Sequence, residues 1–138
     1  YYDHVLVDSP AGVGLGFLSA IAAAQRALVV SNPDPVCVRD TATVRRLLTE
    51  ARIQEQRLVI NRFQYSRFKK LGCFRDLDAM IDESGIRLIA VIPEDVQLAA
   101  AAARAQPPSH RSSGAMAYAR LAARLEGEHV PLASLRWM

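Results

Sequence analysis

Four short apolar runs, Val5–Asp8, Ala27–Ser31, Leu58–Asn61 and Arg87–Ile92, show almost no polar alternation, and each gives way to polar turn residues. A strand with one face in water alternates apolar with polar, whereas a parallel strand covered by helices on both faces does not. Stretches of helical periodicity separate the runs. The pattern therefore predicts an α/β fold with a mostly parallel sheet and flanking helices. At 138 residues and 51% hydrophobic content, residues 1–138 are expected to form one domain, with material to bury roughly 68–70% of the unfolded surface. The chain opens Tyr1-Tyr2-Asp3-His4, with no initiator Met, and reaches its first apolar run at once. It is read as a fragment, a single partial domain.

The helices between the runs follow from periodicity and from their ends. Phe17, Ala20, Ile21 and Ala24 form one apolar stripe. The prolines of Asn32-Pro33-Asp34-Pro35 stop the second run, and Asp40 is expected to cap a helix with Val44, Leu47, Leu48 and Ala51 inward and Arg45, Arg46 and Arg52 outward. Asp76 should cap a helix that turns Leu77, Met80 and Ile81 inward and ends at a left-handed Gly85. Asp95 should open an Ala-rich helix that Pro107-Pro108 terminates, and Ser112 or Ser113 a last one with the stripe Tyr118, Leu121, Ala122 and Leu125.

Composition narrows the functional classes. A net charge of +3 is too small to argue for nucleic acid without a clustered patch. Cys37 and Cys73 match no metal-ligand spacing and suit a reducing compartment, and His4, His110 and His129 are scattered. No apolar stretch approaches the roughly 20 residues of a spanning helix, so a soluble chain is expected. The most basic piece, Phe63–Arg75, interleaves Phe63, Tyr65, Phe68 and Phe74 with Arg67, Lys69, Lys70 and Arg75. Stacking platforms between cations suit single-stranded nucleic acid. The favoured alternative is a loop whose rings tuck under the domain while its cations stay wet.

The strand ends carry the functional signal. In open α/β sheets, ligands bind beyond the carboxyl ends of the strands. Three of these ends are Asp8-Ser9-Pro10-Ala11-Gly12, Asn61-Arg62 and Pro93-Glu94-Asp95, and in a parallel sheet they share one rim. A common small-molecule site is expected there. Asp8 offers a metal ion a carboxylate, Pro10 fixes the turn, and Gly12 lets its amide approach an anion. The plainer role for Asp8 is to cap the next helix.

Taken in order, Val7-Asp8-Ser9-Pro10-Ala11-Gly12, Asn32-Pro33-Asp34 with Val38-Arg39-Asp40, Asn61-Arg62, Gly72, Val91-Ile92-Pro93-Glu94-Asp95 and Arg124-Leu125-Glu126-Gly127-Glu128 resemble the carboxyl-terminal half of the MinD septum-site-determining ATPases, within the ParA/MinD group of P-loop ATPases. The resemblance implies ATP and Mg²⁺ as cofactors. Asp8 would sit at the Mg²⁺ site through a bound water, and Pro10-Ala11-Gly12 would form a switch whose Gly12 amide senses the γ-phosphate. Asn61 and Arg62 would contact adenine, with Pro93-Glu94-Asp95 as the opposite wall. It also implies an ATP-dependent homodimer, MinC-like and MinE-like partners, and a cytoplasmic protein that joins the inner face of the membrane. A flagellar-number or partition ATPase of the same group is the related alternative, and a non-catalytic nucleic-acid-binding remnant using 63–75 the unrelated one. Nucleic acid is not the expected partner.

The departures are physical. The chain has no G-x-x-x-x-G-K-[ST] and no lysine-bearing variant of it, so it offers a triphosphate no cradle of amides. No catalytic residue is expected within it, and alone it should not hydrolyse ATP. In relatives the phosphate-loop strand would lie between Val5–Asp8 and Ala27–Ser31. Without it those two runs must pair directly or expose their edges. Gly14 stands where the family usually has an acidic residue. Leu132, Leu135, Arg136 and Trp137 begin an amphipathic face too short to hold a membrane.

Overall fold

The computed structural model describes residues 1–134. Three parallel strands, β1 (Arg26–Ser31), β2 (Glu55–Phe63) and β3 (Leu88–Pro93), form a sheet in the order β1-β2-β3. Among the described residues six helices accompany them: α1 (Leu15–Ala22), α2 (Pro35–Glu50), α3 (Tyr65–Leu71), α4 (Leu77–Ser84), α5 (Val96–Ala103) and α6 (Ser113–Leu125). The α/β fold with a parallel sheet is as expected.

The first apolar run is the exception. Val5–Asp8 joins no strand, and Val5 and Leu6 are 75% and 88% exposed. A parallel strand exists only if a neighbour accepts its N–H groups and feeds its carbonyls. Of the two outcomes open to the first two runs, direct pairing or exposed edges, exposure is the one found.

Two cores lie on opposite faces of the sheet. The larger packs Val29, Leu58, Ile60 and Val91 against Val38 and Leu48 of α2, Met80 of α4 and Phe17 of α1. The smaller packs Val59, Ala90 and Ile92 against Ala117 and Leu121 of α6. The α6 stripe is rotated from its expected position: Ala117 and Leu121 face the sheet, Gly114 is buried against α5, Leu125 is partly buried, and Tyr118 and Ala122 are exposed. Gly114 leaves room for Leu98 of α5, whose side chain a Cβ there would displace.

The helix caps explain the remaining boundaries. Asp34, not Asp40, caps α2, accepting from the Val36 and Cys37 amides. Pro35 is the first helical residue, where its missing N–H would have had no partner in any case. Asp40 is exposed inside α2, and Ala51, expected inward, is its exposed C-cap. Asp76 caps α4, which ends at Gly85 with φ 66°, and Ser112 caps α6, all as expected.

Two register irregularities shape the β2–β3 ladder. Asn61 and Arg62 stand between the pairs Ile60–Val91 and Phe63–Pro93, so β2 bulges, with Arg62 at φ 54°. On β3 the extra residue is Ile89, whose carbonyl accepts from Arg124 Nη1 at 2.8 Å while Arg124 Nε donates to the Val130 carbonyl. Burial holds the Arg124 pKa below its ordinary value. Among the described residues no helix is long and apolar enough to cross a membrane.

Candidate nucleotide-base site

The carboxyl ends of the three strands meet at one rim. A cavity of about 140 Å³ opens there between Asn32, Pro33 and Asp34 after β1, Arg62 at the end of β2, and Glu94 after β3. Gln64, Arg67, Phe68 and Leu71 close it from α3 and its approach. The convergence follows from parallel topology, since each strand delivers its following turn to the same side.

The β2 bulge aims the main polar contact. With Arg62 in a left-handed conformation, its guanidinium reaches Glu94, Nε donating to Oε2 at 3.1 Å and Nη2 to Oε1 at 3.2 Å. This two-pronged pair raises the Arg62 pKa above its ordinary value. The Glu94 amide donates to the Phe63 carbonyl at 2.9 Å, carrying the ladder past the end of β3. Asp34 is held below the usual carboxylate range, first by the Cys37 amide and more weakly by the Arg67 charge. The same Asp34 carboxylate, with burial, pushes the Cys37 thiol up.

The expected site residues divide into three groups. Arg62 and Glu94 line the cavity together. Asn61 is half-buried beside it, and Pro93 is buried in register with Phe63. Asp95 is committed elsewhere: Oδ1 accepts the Gln97 amide and Oδ2 the Gly114 amide and the Ser113 hydroxyl, so one carboxylate caps α5 and ties it to α6. These bonds, the Gly114 amide first, hold its pKa below the usual range. Asp8, Pro10 and Gly12 lie on the exposed segment before α1, and none lines the cavity. Gly12 adopts φ 86°, a conformation that side chains strain to reach.

The residues present fit a purine base better than a whole nucleotide. The Asn32 and Gln64 side-chain amides each carry donors and an acceptor, and Phe68 and Leu71 supply an apolar wall. The volume is below the roughly 300–1,000 Å³ of a pocket that encloses a drug-sized ligand. Among the described residues no cluster of three His, Cys, Asp or Glu side chains could hold a metal ion. Asp8 is a lone exposed carboxylate. Mg²⁺ is often held by one or two carboxylates plus substrate phosphates, and that is the only arrangement it suits.

Asn32, Pro33, Asp34, Gln64, Arg67, Phe68 and Leu71 were not expected as site residues. Asn32-Pro33-Asp34 carries the same signal as the others, a polar turn after an apolar run, and that rule finds it. The α3 contribution has no comparable signal, because 63–75 reads as a loop. The rings do tuck under the domain: Phe63 and Phe68 are buried, Phe74 stacks on Phe68 at 6.4 Å, and Arg67, Lys69, Lys70 and Arg75 remain exposed. Lys69 lies over the Tyr65 ring at 5.9 Å. Phe63 is closed to stacking by a base and Phe68 faces only the cavity, which reduces the platform that the nucleic-acid alternative requires.

A parallel α/β sheet with a cavity beyond its carboxyl ends defines an open α/β fold of the kind that takes ligands at that rim. Comparison with known proteins narrows this. No family model matches the chain. The septum site-determining protein MinD of Bacillus subtilis is 34% identical over 136 residues, 95% of this chain and 50% of that protein. The solved Aquifex aeolicus MinC:MinD cell division complex superposes with a TM-score of 0.88 at 32% identity, over 96% of this chain and 55% of that one. MinD from Pyrococcus horikoshii, solved with Mg-ADP, matches at TM-score 0.75 and 29% identity, over 86% of this chain and 48% of that one. The chain belongs to the MinD family of septum site-determining proteins, and it spans about half the length of the curated relatives it matches.

Proposed function

We propose that this chain is the base-binding, carboxyl-terminal half of a MinD-type ATPase that positions the division septum. The supporting observation is the meeting of Asn32–Asp34, Arg62 and Glu94 around one cavity at the ends of three parallel strands. A MinD relative complexed with Mg-ADP supports the nucleotide, and one complexed with MinC supports that partner. In this reading Asn61 and Arg62 hold the adenine, and the Pro93-Glu94-Asp95 turn is the opposite wall, Glu94 through its pair with Arg62 and Asp95 by anchoring the turn to α5 and α6. Asp8 meets the Mg²⁺ of the bound nucleotide. Gly12 carries a switch amide that is held while the γ-phosphate is present and released when it leaves.

ATP-dependent dimerisation, a MinE-like partner and residence in the cytoplasm and at the inner membrane face complete the proposal. For membrane binding, Leu132 is exposed, and Leu135, Arg136 and Trp137 lie outside the described residues. Without a cradle of backbone amides for the phosphates, this chain alone binds adenine nucleotides weakly and does not turn them over.

The test is a titration of the isotopically labelled chain with Mg-ADP, followed by amide chemical shifts. Shifts confined to Asn32, Asn61–Gln64 and Glu94, saturating only at high concentration and lost in Arg62→Ala, are expected. Perturbations elsewhere, micromolar affinity in calorimetry, or ATP turnover abolished by Asp8→Ala would refute the reading.

A further inference from the structure

We propose that the face formed by α3, α4 and the loop between them is a docking surface for a second copy of this chain. The proposal rests on the placement of charge on that face, and it stands whether or not the cavity takes a nucleotide.

The two helices follow one another in the chain and present opposite charge to solvent. Phe68 of α3 and Met80 of α4 are buried in the larger core, so both helices are fixed on the same side of the sheet. Lys69 and Lys70 of α3 and Asp78, Asp82 and Glu83 of α4 are all exposed. The two signs meet at the connecting loop, where Arg75 Nε donates to Asp76 Oδ2 at 2.8 Å. Asp76 is held low first by the Ala79 amide and more weakly by the Lys69 charge. Arg75 is raised first by its hydrogen bond to Asp76 and more weakly by the Asp78 and Asp82 charges, so the two fields overlap there. Away from that loop they do not cancel: among the described residues none of Lys69, Lys70, Asp78, Asp82 and Glu83 belongs to an ion pair.

A surface with a basic half beside an acidic half is complementary to itself. A twofold axis through the loop sets α3 of each copy against α4 of the other, and every contact then occurs twice. Other partners answer only half of the pattern. An anionic lipid surface, a nucleic acid or an acidic peptide would be drawn to Lys69 and Lys70 and repelled by Asp78 and Asp82 a few residues on. The middle of the face is free of bulk, since Gly72 has open space around it and Cys73 is small and exposed, and two loops can approach there. Exposed ion pairs are individually weak and screened by salt, so the pairing is transient and salt-sensitive. It needs no nucleotide, which separates it from the ATP-dependent dimer proposed above.

The experiment treats the purified chain with a short bis-maleimide, which couples two cysteines only when they lie close together. Dimers joined through Cys73 are expected at about 50 mM salt, falling at least about tenfold at about 500 mM. Mg-ADP should leave them unchanged. Two charge-reversed chains give the decisive arm: Lys69→Glu, Lys70→Glu makes the face acidic throughout, and Asp82→Lys, Glu83→Lys makes it largely basic. Each alone should couple at least about tenfold less than the parent chain, and an equimolar mixture should recover coupling between the two, resolved by mass. All four positions are exposed, so the urea midpoints should match that of the parent chain. Cys73→Ser should abolish coupling and leave a salt-sensitive association in sedimentation. Coupling through Cys37, dimers that persist at high salt, reversed chains that couple alone as well as the parent, or a mixture no better than its components would each overturn the proposal. Arg62→Ala separates the two readings, since it should abolish nucleotide shifts and leave the coupling intact.

Discussion

The two faces of the sheet are finished to different degrees. On one, α2 and α4 with Phe17 of α1 enclose Val29, Leu58, Ile60 and Val91. On the other, α6 covers Val59, Ala90 and Ile92 and leaves Leu28 and Val30 of β1 in water. Burial thus declines from β3 towards β1 on the second face only. Local stability and surface chemistry should follow the same gradient.

The sharpest way to break that comparison is to truncate one leucine on each side. Leu48→Ala on the enclosed face should cost about 2–5 kcal/mol, since it removes a side chain only 2% exposed. Leu28→Ala should stay within about 0.5 kcal/mol of the parent chain. Urea denaturation measures both, and similar losses would mean that the faces are equivalently packed. Next, Asp95→Ala removes the cap of α5 and its tie to α6 together, with an expected loss of about 1–2 kcal/mol. Asp95→Asn, which keeps an acceptor at Oδ1, should recover part of it. A loss confined to α5 in hydrogen exchange would show that α6 holds its face unaided.

Acid should act on the caps of both faces. Asp34, Asp76 and Asp95 are held below the usual carboxylate range chiefly by the Cys37, Ala79 and Gly114 amides respectively. The folded chain then binds fewer protons than the unfolded one. Their contribution is fully present above an unfolded pKa of about 3.9 and is lost as pH falls through the lower folded values. Urea midpoints flat from pH 6 to 5 and falling below about pH 4 would bear this out. The smallest effect concerns the thiols. Cys73 is exposed, whereas the Cys37 thiol is half-buried and raised by its hydrogen bond to Asp34. Iodoacetamide should modify Cys73 at least about tenfold faster.

Whether a feature could be read from the sequence depended on whether its cause was local. Unalternating runs at 27–31, 58–61 and 87–92 announce buried parallel strands, and Asp76, Asp95 and Ser112 announce caps, because those signals lie within a few residues of their effect. Val5–Asp8 has the same composition, but a strand is a relation with a neighbour, and no neighbour is present. Asp34 is hidden as a cap because the flanking prolines read as breakers, although Pro35 sits where a helix tolerates it best. At the site, Arg62 and Glu94 follow from the rule that parallel strands share a rim. The tie of Asp95 to α6 depends on Ser113 and Gly114, nearly twenty residues away, and no local pattern reveals it.

Arg124 has a consequence of another kind. By donating both to the Ile89 bulge and to the Val130 carbonyl, it fastens the polypeptide's departing segment to a particular rung of the sheet. A one-residue slip of β3 would swing residues 131–134 onto a new heading, so the bulge doubles as a compass for that segment.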